Sequence, residues 1–150
     1  MRYLLSLLLA LACTACGSSA KFNRAKAPDD IREAVFRHQF AQFQRASQRV
    51  CFLKVAGQDP SDEFMQRFTD LKPSVRKASE SKQGRFTVDS STGEHGVVCD
   101  VDAVKLVGDT TAEASASYRI GSQGAARYRF LLKWDKGNWK VTGRKFLGVS

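Results

Sequence analysis

Residues 97–118, VVCDVDAVKLVGDTTAEASASY, decide the fold, because apolar and polar side chains alternate on both sides of a glycine-containing turn. Alternation with a period of two is typical of β-strands that bury one face. A two-residue turn at Gly108-Asp109 would set a register in which mostly small and apolar residues face each other: Tyr118 with Cys99, Ala116 with Val101, Ala114 with Ala103 and Ala112 with Lys105. The stretch therefore predicts an antiparallel hairpin with one apolar face.

Two further hairpins extend this sheet toward the C-terminus. Across residues 121–125, the predicted register pairs small residues with large ones, Ala116 with Phe130 and Ala114 with Leu132. A turn at residues 135–138 then pairs Trp134 with Trp139. The result is a meander of four or five strands, with these residues facing inward: Val97, Cys99, Val101, Ala103, Ala112, Ala114, Ala116, Tyr118, Tyr128, Phe130, Leu132 and Trp134.

Two helices are predicted upstream of the strands. The first opens at Asp29-Asp30, since acidic residues suit the positive end of a helix, and its apolar stripe comprises Ile31, Val35, Phe36, Phe40, Phe43, Ala46 and Val50. The second opens at residues 59–62, where Asp59 can cap and Pro60 suits the first turn, and it ends before Pro73. Helices followed by an antiparallel sheet with one apolar face predict an α+β domain.

The order of these elements and the closing Trp139-Lys140-Val141 strand resemble the cystatin-like or nuclear transport factor-like cone. The resemblance covers residues 29–147. Within it, residues 50–53, 75–79, 92–93 and 128–141 are similar to small bacterial lipoproteins of no known function. It implies two N-terminal helices packed on a curved antiparallel sheet of four to five strands, and it implies no activity.

The first 15 residues are typical of a cleavable export signal. The apolar run over residues 3–12 is about half the length that spans a bilayer. It leads into LACTACGSS at residues 11–19, which resembles the bacterial lipobox and implies a lipid on Cys16, with Cys13 as the alternative. By analogy with that family, the lack of aspartate after either cysteine predicts an outer-membrane anchor facing the periplasm. We therefore expect a signal peptide at residues 1–15, a flexible tether at 16–28 and one domain at 29–150.

The charge balance favours an anionic partner. The chain has 24 Lys and Arg against 15 Asp and Glu, a formal net charge of +9. For an exported protein this excess disfavours nucleic acid and favours anionic lipid, anionic glycan or an acidic envelope protein. The predicted outward face carries six cations that pair like with like across strands: Arg119 with Arg127, Lys133 with Lys140 and Arg129 with Arg144. Because such pairs are unfavourable, they predict a binding surface for an anionic partner.

Two other functions remain open at this point. The alanines of the predicted hairpin could leave room for a small apolar ligand beside Phe130 and Trp134. Alternatively, an exposed apolar patch beyond the cations would indicate an accessory subunit of an envelope assembly. Each of these is a binding role.

Catalysis, a cofactor and a metal are not expected. No carboxylate falls among the inward positions, so general acid–base chemistry lacks a proton acceptor there, and Asp100 and Asp102 are predicted on the solvated face. His38 lies off the helix stripe and is predicted as a surface residue. His38 and His95 are the only histidines, and no second pair of ligands lies close in sequence.

The remaining cysteines, Cys51 and Cys99, predict a disulfide. With Cys13 or Cys16 acylated, these are the two thiols left in the mature domain, and thiols in an oxidising compartment usually pair. The alternative is two separately buried free thiols.

Overall fold

One long helix and a six-stranded sheet dominate the computed structural model, which describes residues 22–45, 50–72, 74–122 and 124–149. In chain order the elements are α1 (Ala27–Arg45), β1 (Val50–Val55), α2 (Asp62–Gln66), β2 (Val75–Lys77), β3 (Ser81–Gln83), β4 (Thr87–Asp89), β5 (Gly96–Leu106), β6 (Thr111–Arg119), β7 (Ala125–Asp135) and β8 (Asn138–Gly148). The α+β class is confirmed. The signal, both candidate lipid-bearing cysteines and Ala46 lie outside the described residues.

The sheet is mixed, although an antiparallel meander was predicted. Its strand order is β2-β1-β5-β6-β7-β8, and β1 runs parallel to both of its neighbours, whereas β5 to β8 are antiparallel. The cause lies in residues 50–53, which are apolar throughout and buried, as is typical of a parallel strand covered on both faces. A separate hairpin, β3–β4, lies outside the main sheet.

The helix α1 packs on the inner face of the sheet, and its predicted stripe is confirmed from Ile31 to Phe43, whereas Val50, predicted as its last member, begins β1 and is buried on the other face. Ile31, Val35, Phe36, Phe40 and Phe43 are all buried in one cluster with the inward residues of β5, β6 and β7. These residues recur with helical spacing, so one side of α1 is apolar along its length.

The second predicted helix is much shorter than expected. The helix α2 covers only five residues, and its N-cap is Ser61, whose hydroxyl accepts a hydrogen bond from the Phe64 amide at 3.2 Å. Beyond Arg67 the chain continues as turns with bonds to the third preceding residue. Phe64 and Phe68 are nevertheless buried against α1.

A β-bulge between β5 and β6 and a different hairpin register between β6 and β7 change the predicted strand pairing. The pairs Tyr118 with Cys99 and Ala116 with Val101 are confirmed, but a bulge at Asp102 then places Val104 opposite Ala114. As a result Val104 and Leu106 point inward, whereas Ala103, predicted inward, is exposed. Between β6 and β7, the observed partners also differ: Ala116 with Tyr128, Ala114 with Phe130 and Ala112 with Leu132.

The folded domain begins before residue 29, within the predicted tether. The Phe22 ring packs edge-on against Trp134 and Trp139, with centroid distances of 5.5 and 5.9 Å. Ala27 is fully buried as the first residue of α1. Residues 22–28 therefore belong to the domain. Of the helices described, none combines the length and apolar character needed to cross a bilayer.

The β7–β8 turn contains a strained residue that offers a stability test. Lys136 has φ of 49° and Gly137 has φ of 90°, the left-handed conformations that a two-residue hairpin turn requires. Asparagine adopts this conformation more readily than lysine. We expect Lys136→Asn to raise the free energy of unfolding by about 0.5–1 kcal/mol.

Chemical denaturation measures this gain, and Lys136→Gln is the matched control, since it removes the same charge without favouring the turn. Equal stabilities of the two variants would contradict the conformational explanation.

Candidate functional site: the basic face of the sheet

The face of the sheet opposite α1, called the outer face here, is covered over only part of its width. The 3₁₀ turn that precedes β3 contributes Ala78, which packs with Val50, Phe52 and Val98 on the β1–β5 part of this face. Among the described residues, no such cluster covers the outward side chains of β6, β7 and β8. This half of the outer face is therefore open to solvent.

Besides Arg119 at the end of β6, five exposed cations lie on the open half, and we call these five the basic strip: Arg127, Arg129 and Lys133 on β7, and Lys140 and Lys145 on β8. Four of the five side chains sit in like-charged pairs across the strands. Lys133 pairs with Lys140, as predicted, and Arg129 pairs with Lys145. Lys145 was missed by the sequence reasoning.

Two residues that were predicted to belong to this cation group, Arg119 and Arg144, lie outside the basic strip. Arg119 lies on the outer face but pairs with Ala125, and Ser117 takes the place opposite Arg127. Arg144 pairs with Phe130 and so belongs to the inner face. The cause is a bulge at Thr142, whose extra residue reverses the facing of the β8 residues that follow it.

Arg144 is held on the helix side by specific contacts. Its guanidinium donates a hydrogen bond to Gln42 Oε1 at 2.7 Å and lies 5.2 Å from the centre of the Tyr128 ring. The Gln42 amide is in turn 2.9 Å from His38 Nε2. Arg144 therefore does not contribute to the basic strip.

Three carboxylates lie beside the basic strip. Asp102 is 3.1 Å from Arg127, Glu113 is 3.9 Å from Arg129, and Asp135 is 2.6 Å from Lys140, which lowers the pKa of Asp135. Such exposed ion pairs contribute only about 0–1 kcal/mol, so an anionic partner can compete for these cations. Lys133 and Lys145 have no ion pair within 4.0 Å among the described residues.

Two arginines on the helix side are already engaged in ion pairs. Arg37 contacts Glu33 at 2.8 Å and Asp70 at 2.9 Å, and Arg67 contacts Asp30 at 2.8 Å and Glu33 at 2.9 Å. The pKa of Asp70 is lowered by its hydrogen bond from Arg37. These two arginines are therefore less available to an anionic partner than Lys133 and Lys145 of the basic strip.

A groove of about 620 Å³ adjoins the basic strip, between the β3–β4 hairpin and the outer face. Its walls include Lys54, Arg119 and Asp100. Asp100 is half-buried and accepts hydrogen bonds from the Gly57 amide, and burial together with nearby Asp102 raises its pKa. Asp100 therefore lies on the outer face, as predicted, where it is partly covered.

His38 is also more enclosed than predicted. Its ring packs edge-on against Phe130 at 5.7 Å, and burial and the charge of Arg144 lower its pKa. Tyr118 and Tyr128 stack nearby at 6.2 Å, and burial raises the pKa of Tyr118. His38, two tyrosines and Arg144 together form a polar border to the core.

The alanine residues of β6 are buried beneath the helix. Ala112, Ala114 and Ala116 are at most 3% exposed and belong to the same cluster as Val35 and Phe36 of α1. Their small size lets α1 approach the sheet. This packing gives no support to the small apolar ligand considered above.

The two cysteines predicted to form a disulfide are free and buried. Cys99 lies opposite Leu53 and Cys51 lies opposite Val97, so the cysteines are diagonal neighbours on parallel strands. Diagonal neighbours are roughly 7–8 Å apart, beyond the separation of about 4.4–6.8 Å that disulfides require. The disulfide expectation is therefore not met, and the alternative of two buried thiols describes the structure.

These thiols are expected to be unreactive in the folded protein. Burial raises the pKa of Cys51 to about 12 and raises that of Cys99 well above its usual value, so the reactive thiolate is scarce at neutral pH. Peptide mapping after iodoacetamide treatment should find both residues unmodified in native protein and modified after denaturation. Rapid native modification of either residue would contradict the burial, and an added cysteine at exposed Gln66 serves as the reactive control.

Comparison of this chain with protein-family models, with curated proteins and with solved structures gives no match.

Proposed function

We propose that this chain is a lipid-anchored, periplasm-facing binding module that engages an anionic partner of the cell envelope through the basic strip. The observation that carries the proposal is the open outer face with its exposed cations, among which Lys133 and Lys145 have no carboxylate within ion-pair distance in the described part of the chain. The lipobox-like residues 11–19 support an anchor on Cys16, or alternatively Cys13, and an outer-membrane location. The role is binding, without a catalytic step.

The like-charged pairs support an anionic partner over simple solvation. Lys133 faces Lys140, and Arg129 faces Lys145, in directly paired positions across β7 and β8. Like charges in this arrangement destabilise a sheet, and nearby carboxylates only partly offset them. An anionic group placed between the strands would relieve this repulsion.

The fold that presents the strip is proposed to be the cystatin-like or nuclear transport factor-like cone. A long helix packed across the antiparallel strands β5 to β8 supports that relationship. The short α2 and the parallel pairing of β1 mark where this chain departs from the expected pattern of two helices on an antiparallel sheet.

A second candidate, contact with an envelope protein, is favoured by one observation. Apolar side chains are exposed toward the end of β8, where Phe146 is 55% and Val149 is 80% exposed. Exposed apolar groups of this kind often mark protein contacts. Phe146 pairs with Tyr128 and therefore lies on the inner face, so it would give an envelope protein an apolar contact at the edge strand, separate from the basic strip.

Affinity for a soluble sulfated polysaccharide tests the proposed function. Each basic residue near an anionic surface contributes about a fivefold factor, so Lys133→Gln with Lys145→Gln is expected to weaken binding about 25-fold at low salt. Binding by the wild-type chain should also fall steeply in 1 M salt, because screening there is nearly complete within about 3 Å.

The matched control is Lys72→Gln with Lys82→Gln, which removes the same charge from exposed positions outside β7 and β8. Equal losses in the two double variants would show that net charge, and not the strip, governs binding. Lack of binding by the wild-type chain at low salt would overturn the proposed function.

A further inference from the structure

The structured domain begins close to its proposed anchor. Phe22 packs on Trp134 and Trp139, the paired residues that flank the β7–β8 turn. Six residue steps separate Phe22 from Cys16, and an extended chain spans at most about 3.5 Å for each residue. With the lipid on Cys16, this end of the sheet lies within about 21 Å of the acylated residue.

The basic strip begins at the same end. Lys133 and Lys140 form the pair next to Trp134 and Trp139, and the strip continues along β7 and β8 to Arg127. A short tether at one end of a row of cations brings the row to the membrane surface. Anionic headgroups attract basic residues within about a Debye length, so charge complementarity favours the outer face as the one that approaches the bilayer.

The helix side of the domain carries the opposite character. Its exposed carboxylates include Asp59 and Glu63, which have no ion pair within the described part of the chain, and the cations Arg32 and Arg67 are ion-paired with Asp29 and Asp30. An anionic surface repels exposed carboxylates. A negatively charged bilayer would therefore attract the outer face and repel the helix side.

An apolar side chain lies within the strip. Leu131 is 45% exposed on β7, between Arg129 and Lys133 in sequence positions that share its face. Its partner on β8 is Gly143, which has no side chain to cover it. Membrane-surface binding commonly combines an apolar side chain at the acyl boundary with surrounding cations at the headgroups.

We propose that the partner of the basic strip is the anionic phospholipid of the bilayer that holds the chain's own lipid, with the outer face against the headgroups, Leu131 inserted and α1 facing away. This inference rests on the proposed function, since it assigns the anionic partner of the same site. It fixes the orientation of the domain on the membrane. A soluble polyanion or an acidic protein as the partner would leave that orientation unfixed.

Site-specific fluorescence quenching in reconstituted vesicles tests this orientation. The full acylated chain is labelled at an introduced cysteine, either Thr111→Cys on the outer face opposite Lys133 or Gln66→Cys on exposed α2, with the unsubstituted chain giving the background. Vesicles contain lipids with nitroxide headgroups as quenchers, in phosphatidylglycerol with phosphatidylethanolamine or in phosphatidylcholine alone.

In phosphatidylglycerol vesicles at low salt, the label at Thr111 is expected to be quenched more strongly than the label at Gln66. The difference should vanish in 1 M salt and in phosphatidylcholine. Lys133→Gln with Lys145→Gln should lower the ratio of docked to undocked domain about 25-fold. Leu131→Asn should lower that ratio without any change in charge.

Equal quenching of the two labels at low salt on phosphatidylglycerol vesicles, or stronger quenching at Gln66, would overturn the orientation. If such a chain still binds the soluble polysaccharide through the strip, the proposed function stands and the bilayer is not its partner. If the chain neither incorporates into vesicles nor binds the polysaccharide, the anchor and the proposed function both fail.

Discussion

Phe36→Ala is expected to lower the free energy of unfolding by about 3–5 kcal/mol, the largest stability effect of a single substitution in this account. Phe36 is fully buried on α1, and its ring lies 6.0–6.1 Å from the rings of Phe40, Phe64 and Phe68. Truncation leaves a cavity at the point where α1 and α2 meet and also removes three aromatic contacts.

Urea denaturation of the two proteins measures this loss. Phe86→Ala is the matched control, because Phe86 is 49% exposed and its truncation is expected to cost less than about 1 kcal/mol. Similar losses of unfolding free energy in the two variants would contradict the burial of Phe36 where α1 and α2 meet.

Gly121→Ala is expected to lower the free energy of unfolding by about 1–3 kcal/mol and to loosen the β3–β4 hairpin from the sheet. A Cβ at this position would lie 2.2 Å from the Arg85 carbonyl oxygen, which is part of the backbone and cannot rotate away. Two backbone hydrogen bonds join the β3–β4 hairpin to residues 120–122. The Thr87 amide donates to the Ile120 carbonyl at 2.7 Å, and the Ser122 amide donates to the Gly84 carbonyl at 3.0 Å.

Hydrogen exchange at the amides of Thr87 and Ser122 reports the loosening directly and should become faster in the variant. Gly143→Ala is the control, since a Cβ there meets only the Leu131 side chain at an ordinary 3.6 Å. Unchanged exchange and stability in Gly121→Ala would show that the hairpin is not held by this close backbone approach.

The parts of the fold that depend on local periodicity could be predicted from the sequence. The stripe of α1 follows from helical spacing, and the β5–β6 and β7–β8 hairpins follow from alternation and from turn residues. The parallel pairing of β1 with β5 joins residues more than 40 positions apart. No turn marks that pairing, although the unbroken apolar run at residues 50–53 is a sign of a strand buried on both faces.

The bulges explain most of the errors at the candidate site. At Asp102 the sequence does carry a signal, because the apolar residues Val104 and Leu106 fall on even-numbered positions, whereas the inward residues before the bulge fall on odd-numbered ones. At Thr142 the only indication is the adjacent glycine, and the bulge there moves Arg144 inward and Lys145 outward. A shift of one residue exchanges the two faces of a strand, so a sequence register alone could not assign these two cations.

Amide chemical-shift mapping during titration with the soluble sulfated polysaccharide shows which face of the domain receives an anionic ligand. If the basic strip is the binding surface, the largest changes fall at Arg127, Arg129, Lys133, Lys140 and Lys145, and Arg37 and Arg67 on the helix side are unaffected. Changes centred on α1 and α2, or spread evenly over the surface, would contradict binding at the basic strip.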